Sequence, residues 1–162
     1  MIYIIMGVSG SGKTTIGKQL SCHLDYHFYD ADDFHPPENI QKMSYKIPLN
    51  DQDRQPWLLS LSHLINNLQQ HEKNAVIACS SLKKSYRELL QGNHQDLVWI
   101  YLKGSFEQIL ERLDKRKEHF MKSQMLKSQF KDLEEPDNAI ILDIGSTTEK
   151  IIKQVLSKIT FL

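Results

Sequence analysis

The stretch from Gly7 to Thr14 has the residue types and spacing of a phosphate-binding loop. It runs Gly-Val-Ser-Gly-Ser-Gly-Lys-Thr, which fits the pattern G-x-x-x-x-G-K-[ST]. In such a loop the backbone N–H groups turn inward around phosphate oxygens, and the N-terminus of the next helix adds a partial positive charge. Lys13 is expected to reach the β- and γ-phosphates of a nucleotide, and the Thr14 hydroxyl to bind Mg²⁺. The fixed positions coincide by chance in roughly one chain in a hundred or fewer, so nucleotide binding is the first prediction.

The residues on either side of this loop predict the strand and the helix that it needs. Residues 2–6 are a short apolar and β-branched run, which is typical of a buried parallel strand. After the loop, Ile16, Leu20 and Leu24 mark one apolar face of a helix that starts at Lys13. The residues predicted to hold the nucleotide are Gly7, Ser9, Gly10, Ser11, Gly12, Lys13, Thr14 and Thr15.

An acidic cluster follows the second predicted strand. It contains Asp30, Asp32 and Asp33, with His35 shortly after them. In open α/β sheets ligands bind outside the carboxyl ends of the strands, so this position favours metal or substrate binding. The alternative is the N-cap of a helix, a position that Asp favours. Asp33 fits that structural role, which leaves Asp30 and Asp32 for chemistry.

Apolar patterns divide the rest of the chain into alternating helices and strands. Further buried strands are predicted to end near Cys79, Leu102 and Asp143. Together they predict a three-layer α/β fold, a five-stranded parallel sheet with helices on both faces. A length of 162 residues fits one domain, residues 1–162. In a short helix after the acidic cluster, Ile40 and Met43 are expected to face inward.

Three basic residues lie where an anionic substrate could bind. Arg54 is in the first turn of a long helix, where the helix dipole disfavours a cation, so a local role is expected. The alternative is a surface ion pair with Asp51 or Asp53, which would contribute little to stability. Lys83 and Arg87 lie one turn apart on a helix that begins just past a strand. A solvated basic helix face is the competing interpretation for them.

A basic segment precedes the last strand. Between Arg112 and Lys131 there are seven basic and two acidic residues, and the pattern to Pro136 is helical but weakly apolar. This pattern predicts a mobile lid, roughly residues 112–136, that folds over a polyphosphate. A solvated pair of basic helices is the alternative.

The overall composition restricts the possible partners and the compartment. Twenty basic and twenty acidic residues cancel, so no global charge favours nucleic acid or an anionic membrane. No apolar run approaches the roughly 20 residues of a membrane span, and no signal peptide precedes the first strand. The two cysteines, Cys22 and Cys79, are expected to be buried free thiols. A cytoplasmic protein without a membrane or nucleic-acid partner is predicted.

Missing motifs exclude several classes of phosphate-loop protein. The chain has neither the N-K-x-D motif of GTPases nor the signature of ABC-type ATPases, and no acidic residue ends the third strand. Asp30 or Asp32 must therefore hold the metal from the second strand. This arrangement is typical of small-molecule kinases with a core like that of nucleoside-monophosphate kinases.

Within that group the sequence resembles the gluconokinases over nearly its whole length, from Met1 to about Asp143. The closing helix is generic. The stretches that carry the resemblance are residues 6–13, 30–32, 35–36, 39–43, 48–51, 53–54, 56–57, 78–84, 86–87, 101–104, 116–117, 119–120, 124–126, 128–130 and 135–136.

The resemblance implies a phosphate-loop kinase fold that converts ATP and D-gluconate into ADP and 6-phospho-D-gluconate, with Mg²⁺ as the metal. It is also the basis for expecting a homodimer. Asp32 is expected to take the proton of the sugar hydroxyl, and Asp30 to hold the metal through water, beside Thr14. Lys13 and the lid arginines, Arg112 or Arg116, would stabilise charge on the transferring group. The residues expected to bind the substrate are Asp32, His35, Arg54, Lys83, Arg87 and Gln124.

Two other functions stay open at this point. Shikimate kinases share the phosphate loop and the paired aspartates, but they carry a triple-glycine turn after the third strand, where this chain has Ser80, Ser81 and Leu82. The other alternative is a nucleotide-binding regulatory module without turnover. Intact Lys13 and Asp32 argue against it.

Overall fold

The computed structural model describes residues 1–114 and 119–160, and these residues form five β-strands and seven α-helices. The strands are β1 (Ile2–Met6), β2 (His27–Asp30), β3 (Ala75–Ala78), β4 (Leu97–Lys103) and β5 (Ile140–Asp143). The helices are α1 (Lys13–Leu24), α2 (Pro37–Ser44), α3 (Asp51–Gln70), α4 (Lys84–Gln91), α5 (Phe106–Asp114), α6 (His119–Asp132) and α7 (Thr148–Ile159). A 3₁₀ helix, Ala31–Phe34, follows β2 directly.

The sheet is parallel and has the strand order β2-β3-β1-β4-β5. The central strand β1 pairs with β3 from Ile2 opposite Ala75, and with β4 from Ile2 opposite Leu97. All of β1 is buried, which explains why its sequence is a continuous apolar run. Because the strands are parallel, their carboxyl ends share one edge of the sheet. The phosphate loop and Asp30 both lie at that edge.

Two apolar cores flank the sheet. One includes Trp57 and Leu61 of α3 with Leu90 of α4. The other includes Ile16 of α1, Ile109 of α5 and residues of α7. Helices therefore cover both faces, and the prediction of a three-layer α/β fold is confirmed.

Three local expectations from the sequence were wrong. Ile40 does not face inward: 52% of it is exposed, and its neighbour Asn39 is the buried residue of α2. The N-cap of the 3₁₀ helix is Asp30, whose side chain accepts a hydrogen bond from the backbone N–H of Asp32, and Asp33 caps nothing there. Cys22 is exposed on α1. Cys79 is buried as expected, and burial raises the pKa of its thiol to about 12, so it is protonated at neutral pH.

Within residues 1–114 and 119–160, none of the helices is both long enough and apolar enough to cross a membrane.

Candidate active site

The phosphate loop leaves the N-terminus of α1 open. Gly12 precedes this helix with φ of 100°, a left-handed conformation that residues with a Cβ rarely adopt. No described side chain caps the helix, and its first turn contains no acidic residue. The first N–H groups of α1 are therefore available for a bound anion, together with the partial positive charge of the helix end.

Lys13 lies inside this loop and not in open solvent. Its Nζ donates to the carbonyl oxygen of Val8 at 3.1 Å. Burial lowers the pKa of Lys13 from its ordinary value, while the nearby carboxylates of Asp32 and Asp30 oppose that shift. The ammonium is thus held beside the acidic cluster, without an ion pair to either carboxylate in the described contacts.

Thr14 and Asp30 are brought together as the proposed metal site requires. The Thr14 hydroxyl donates to Asp30 Oδ2 at 2.9 Å, and the other carboxylate oxygen, Oδ1, accepts from the backbone N–H of Asp32 at 3.2 Å. One side of the Asp30 carboxylate is therefore fixed by the backbone, and the other faces the threonine. In the described parts of the chain, no group of three or more His, Cys, Asp or Glu side chains is arranged so that it could hold a metal ion by itself. Mg²⁺ needs no such cluster, since it keeps several waters and binds through one or two protein oxygens plus substrate phosphates.

Asp32 lies beside Asp30 at the same edge of the sheet. Its side chain is 80% exposed, so a substrate hydroxyl can reach it from the open side. The surrounding protein atoms nevertheless desolvate the carboxylate enough to raise its pKa, and the negative charge of Asp30 raises it further. Lys13 and His35 oppose this rise. A carboxylate with a raised pKa is a better proton acceptor than an ordinary aspartate.

His35 is held by packing more than by charge. Its ring stacks on Trp57 with centroids 4.6 Å apart, and Nε2 lies 3.9 Å from Asp32 Oδ1. Its Nδ1 lies 3.3 Å from the side-chain amide of Asn39, which donates to the carbonyl of Asp53 at 2.7 Å. Burial lowers the pKa of His35, although Asp32 opposes the shift. A largely neutral imidazole is therefore fixed against Asp32.

Arg54 has definite partners, but not those considered from the sequence. Its Nη1 donates to the Tyr86 hydroxyl and to Asp132 Oδ2, each at 3.1 Å. The interpretation of a surface pair with Asp51 or Asp53 was wrong. Asp53 instead closes a capping box at the start of α3 and accepts from Lys42. Arg54 therefore links α3 to α4 and to the end of α6.

Lys83 directly precedes α4 and bonds across to the start of α3. Its Nζ donates to both carboxylate oxygens of Asp51, at 2.7 and 3.0 Å. The hydrogen bonds from Lys83 lower the pKa of Asp51, and a hydrogen bond from Tyr86 lowers it further. Lys83 and Arg54 are thereby attached to one connected group of side chains.

Arg87 differs from Arg54 because its hydrogen-bond partners are backbone carbonyl groups. It is a buried residue, and its Nη1 donates to the carbonyls of Ser81 and Leu82 at 3.0 and 2.9 Å. The competing interpretation, a solvated basic helix face, was wrong for Arg87 because the residue is buried. Arg87 holds the loop after β3 in place, since both of its described hydrogen bonds go to the backbone of that loop.

The segment after the fourth strand reaches the phosphate loop through two side chains. Arg112 donates through Nη1 to the carbonyl of Ser11 at 3.5 Å and through Nη2 to that of Ile144. Gln129 of α6 accepts through Oε1 a bond from the Ser9 backbone N–H at 2.6 Å. Gln124 is exposed on α6. Arg116 lies outside the described residues.

Sequence reasoning missed three residues of this region. Gln129 contacts the loop, while Tyr86 and Asp132 hold Arg54. Each is polar and far along the chain from its partner, so no local spacing could have revealed the contact. The buried Leu126 on α6 shows that the segment predicted to be a weakly apolar lid also contributes to the core.

Comparison with known proteins decides the family. The family model described as shikimate kinase matches residues 9–160. The chain is 43% identical to the thermoresistant gluconokinase of Escherichia coli (strain K12), with 98% of this chain and 93% of that protein aligned. The chain belongs to the gluconokinase family. Members of this family lie within the wider group of shikimate kinase-like proteins that the family model describes.

Solved structures agree with this assignment. A gluconokinase from Sinorhizobium meliloti 1021 is 36% identical, with a TM-score of 0.86 over 96% of this chain and 89% of that one. A sugar kinase from Janibacter sp. HTCC2649 is 40% identical, with a TM-score of 0.88 over 96% and 92% of the two chains. As a kinase of the gluconokinase family, the protein uses ATP.

Proposed function

We propose that the protein transfers the γ-phosphoryl group of ATP to the 6-hydroxyl of D-gluconate, giving ADP and 6-phospho-D-gluconate. The observation that carries the proposal is the meeting of an open phosphate loop, the Thr14–Asp30 pair and Asp32 at one sheet edge. The similarity to gluconokinases over nearly the full chain supports the choice of sugar acid.

The nucleotide would be held by the residues from Gly7 to Thr15. The open N-terminus of α1 would supply backbone donors, and Lys13 would supply a positive charge. The Ser11 hydroxyl is buried and has no partner among the described residues, which leaves one more donor in the same loop. Binding of the γ-phosphate would draw Lys13 from the Val8 carbonyl to the phosphate, where the transition-state charge develops.

Mg²⁺ would be held by Thr14 and Asp30. The two side chains already touch, and their oxygens match the preference of Mg²⁺ for hard ligands. When bound, the ion neutralises charge on the phosphates. Asp30 stays oriented because its other oxygen accepts from the Asp32 backbone.

Asp32 would accept a hydrogen bond from the 6-hydroxyl and take its proton as the new O–P bond forms and the bond to ADP breaks. Its exposed carboxylate and raised pKa support this role. His35 lies 3.9 Å away and would restrict the orientation of the carboxylate and of the sugar. Arg112, which reaches the Ser11 carbonyl, would add positive charge on the opposite side of the loop. The same role for Arg116 stays a prediction.

The substrate carboxylate would bind to Arg54 and Lys83. Both are cations at helix starts, and Arg54 is near enough to His35 for its charge to add to the effect of burial in lowering the pKa of that imidazole. A guanidinium matches a carboxylate through paired charge-assisted hydrogen bonds. Arg87 is a weaker candidate than the sequence indicated, since it is a buried residue and its partners are backbone carbonyls of the loop after β3. Gln124 stays a prediction without a described contact in the site.

The decisive experiment measures ADP release with Mg·ATP across gluconate, shikimate, glucose and related sugar acids. Only gluconate should turn over well, and its product should carry phosphate on the 6-oxygen by ³¹P NMR. Turnover of shikimate in preference to gluconate would favour the second candidate, shikimate phosphorylation, for which the match to the shikimate kinase model is the supporting observation. Nucleotide binding without turnover of any acceptor would favour a regulatory module.

Three further statements stay predictions. A homodimer is expected, and light scattering behind size exclusion would test it against the 18.9 kDa mass of one chain. A cytoplasmic location is expected as well. The lid motion of residues 112–136 is testable by proteolysis, which should slow when ATP and gluconate are both bound.

A further inference from the structure

Tyr86 contacts both cations that the proposed function assigns to the substrate carboxylate. Its hydroxyl accepts a hydrogen bond from Arg54 Nη1 at 3.1 Å and donates one to Asp51 Oδ1. Its ring centroid lies 5.7 Å from Arg54 Cζ and 5.8 Å from Lys83 Nζ, which is within cation–π range. One side chain thus constrains two cations that are far apart in the sequence.

Two carboxylates complete this arrangement. Asp132 accepts from Arg54 at 3.1 Å, and Asp51 accepts from Lys83 at 2.7 and 3.0 Å. The resulting row, which we name the clamp network, consists of Asp132, Arg54, Tyr86, Asp51 and Lys83. It contains two cations, two anions and one neutral phenol. Its members come from the start of α3, the start of α4 and the end of α6, so three elements set the positions of the two cations.

The contacts hold one end of the Arg54 guanidinium. Both of its described hydrogen bonds leave from Nη1, and its side chain is only 16% exposed. A guanidinium has five N–H donors in a rigid plane, so fixing Nη1 also fixes the direction of the Nε and Nη2 donors. Burial raises the pKa of Tyr86, and its bond to Asp51 raises it further. The phenol therefore stays protonated at neutral pH and keeps its bond to Asp51.

We propose that Tyr86 is a positioning residue that fixes Arg54 and Lys83 in one arrangement, so that a sugar-acid carboxylate meets two preoriented cations. The inference rests on the proposed function, because it takes these cations as the carboxylate site. Long cationic side chains lose much rotamer freedom when they bind a ligand. The clamp network has already removed that freedom before the substrate arrives, and affinity increases accordingly.

The test removes only the hydroxyl. Tyr86→Phe keeps the ring and both cation–π contacts but loses the bonds to Arg54 and Asp51. The KM for gluconate should rise about tenfold, equivalent to about 1.4 kcal/mol. The value of kcat and the KM for ATP should barely change, because neither depends on the carboxylate. Turnover of glucitol, which has an alcohol in place of the carboxylate, should also be nearly unchanged.

Tyr101→Phe is a matched control. Tyr101 is likewise a buried tyrosine, and its hydroxyl contacts a carboxylate, Glu135 Oε1, at 3.3 Å. This control also removes a hydroxyl bound to a carboxylate, but it leaves the clamp network intact. A KM for gluconate that rises equally in both variants would overturn the proposal, since general loosening of the fold would then explain the effect. An unchanged KM for gluconate in folded Tyr86→Phe would also overturn the proposal. Equal losses of kcat with gluconate and with glucitol in this variant would overturn it as well.

A second measurement needs no turnover. In protein labelled with ¹⁵N at arginine, the guanidinium signal of Arg54 can be identified by its loss in Arg54→Leu. Rotation about the Cζ–N bonds and N–H exchange should be faster in Tyr86→Phe than in the wild type or Tyr101→Phe. Equal rates in all three proteins would overturn the positioning role. If the wild type failed to phosphorylate gluconate, the proposed function would fall, while this measurement would still decide whether Tyr86 orders Arg54.

Discussion

The two proposed parts of the site, one for phosphate and one for the sugar acid, are built in different ways. The phosphate side is almost entirely local: one continuous loop from Gly7 to Thr14 opens α1, and its partner Asp30 is 16 residues from Thr14. The sugar-acid side is assembled across the chain. Arg54 is 32 residues from Tyr86 and 78 from Asp132. On this proposal, phosphate binding depends on backbone conformation, whereas carboxylate binding depends on how three helices pack.

The two arginines show the same contrast within one side. Arg54 is bound to other side chains, the hydroxyl of Tyr86 and the carboxylate of Asp132. Arg87 is tied to the carbonyls of Ser81 and Leu82 and supports the loop after β3. Residue type and spacing made the two look equivalent. Their partners separate a proposed substrate contact from a structural one.

The largest effect should come from the phosphate side. Lys13→Ala should lower phosphoryl transfer by about a thousandfold or more, because Lys13 would stabilise charge that develops during transfer. The protein should remain folded by circular dichroism. Lys18→Ala, on the exposed side of the same helix, is the control and should keep its activity. Near-full activity of Lys13→Ala would contradict the assignment of the loop.

The next effect separates the two aspartates. Asp32→Asn keeps the shape but cannot take a proton, so kcat should fall about a hundredfold or more with little change in nucleotide affinity. Asp30→Asn should instead raise the Mg²⁺ concentration needed for activity. Asp33→Asn serves as the neighbouring control. An identical metal-dependent defect in the Asp30 and Asp32 variants would show that the division of roles is wrong.

Asp32 should also shape the pH dependence. Only the ionised carboxylate can accept the proton, so kcat/KM should rise with pH through the pKa of Asp32 and then level off. Desolvation and the charge of Asp30 raise that pKa, so the rising limb of the pH profile should have its midpoint above the ordinary aspartate pKa of 3.8. The limb should persist in Asp33→Asn and disappear in Asp32→Asn. A profile shared by both variants would point to another base.

A smaller effect should separate the two arginines. Arg54→Leu should lower the kcat/KM ratio of gluconate to glucitol at least roughly tenfold, about 1.4 kcal/mol. Arg87→Leu should mainly lower the free energy of unfolding, by about 1–3 kcal/mol, because the carbonyls of Ser81 and Leu82 lose their donor. Urea unfolding of both variants, and their kinetics with gluconate and with glucitol, test these two expectations. A change of specificity in Arg87→Leu alone would reverse the two assignments.

The smallest effect concerns His35. Burial lowers its pKa, so below about pH 6.5 the unfolded state binds more protons and the folded state loses stability as pH falls toward the folded pKa. His35→Phe keeps an aromatic ring against Trp57 and cannot titrate. Between pH 7 and 5, the Tm of this variant should therefore fall less than the Tm of the wild type, by the amount expected for one titrating group. The exposed His63→Gln is the control. Parallel Tm curves for wild type and His35→Phe would exclude this contribution.

Much of the fold follows from short patterns. The apolar run of β1 and the repeat of Ile16 and Leu20 on α1 are local features, and the structure has both of them. The apolar pattern gave a wrong prediction in α2, where a tertiary contact decides which side chain is buried. Ile40 is apolar, but α2 buries Asn39, whose amide reaches the Asp53 carbonyl.

The sequence by itself determined the phosphate loop and the position of the acidic cluster, because glycines, the P-loop lysine and strand ends act through backbone geometry within a few residues. Only the tertiary structure decided which cations are available. Arg54 and Arg87 have the same side chain, and their roles depend on whether a carboxylate, a phenol or a backbone carbonyl from a distant segment lies beside them. Such contacts arise from helix packing, and no local spacing encodes them.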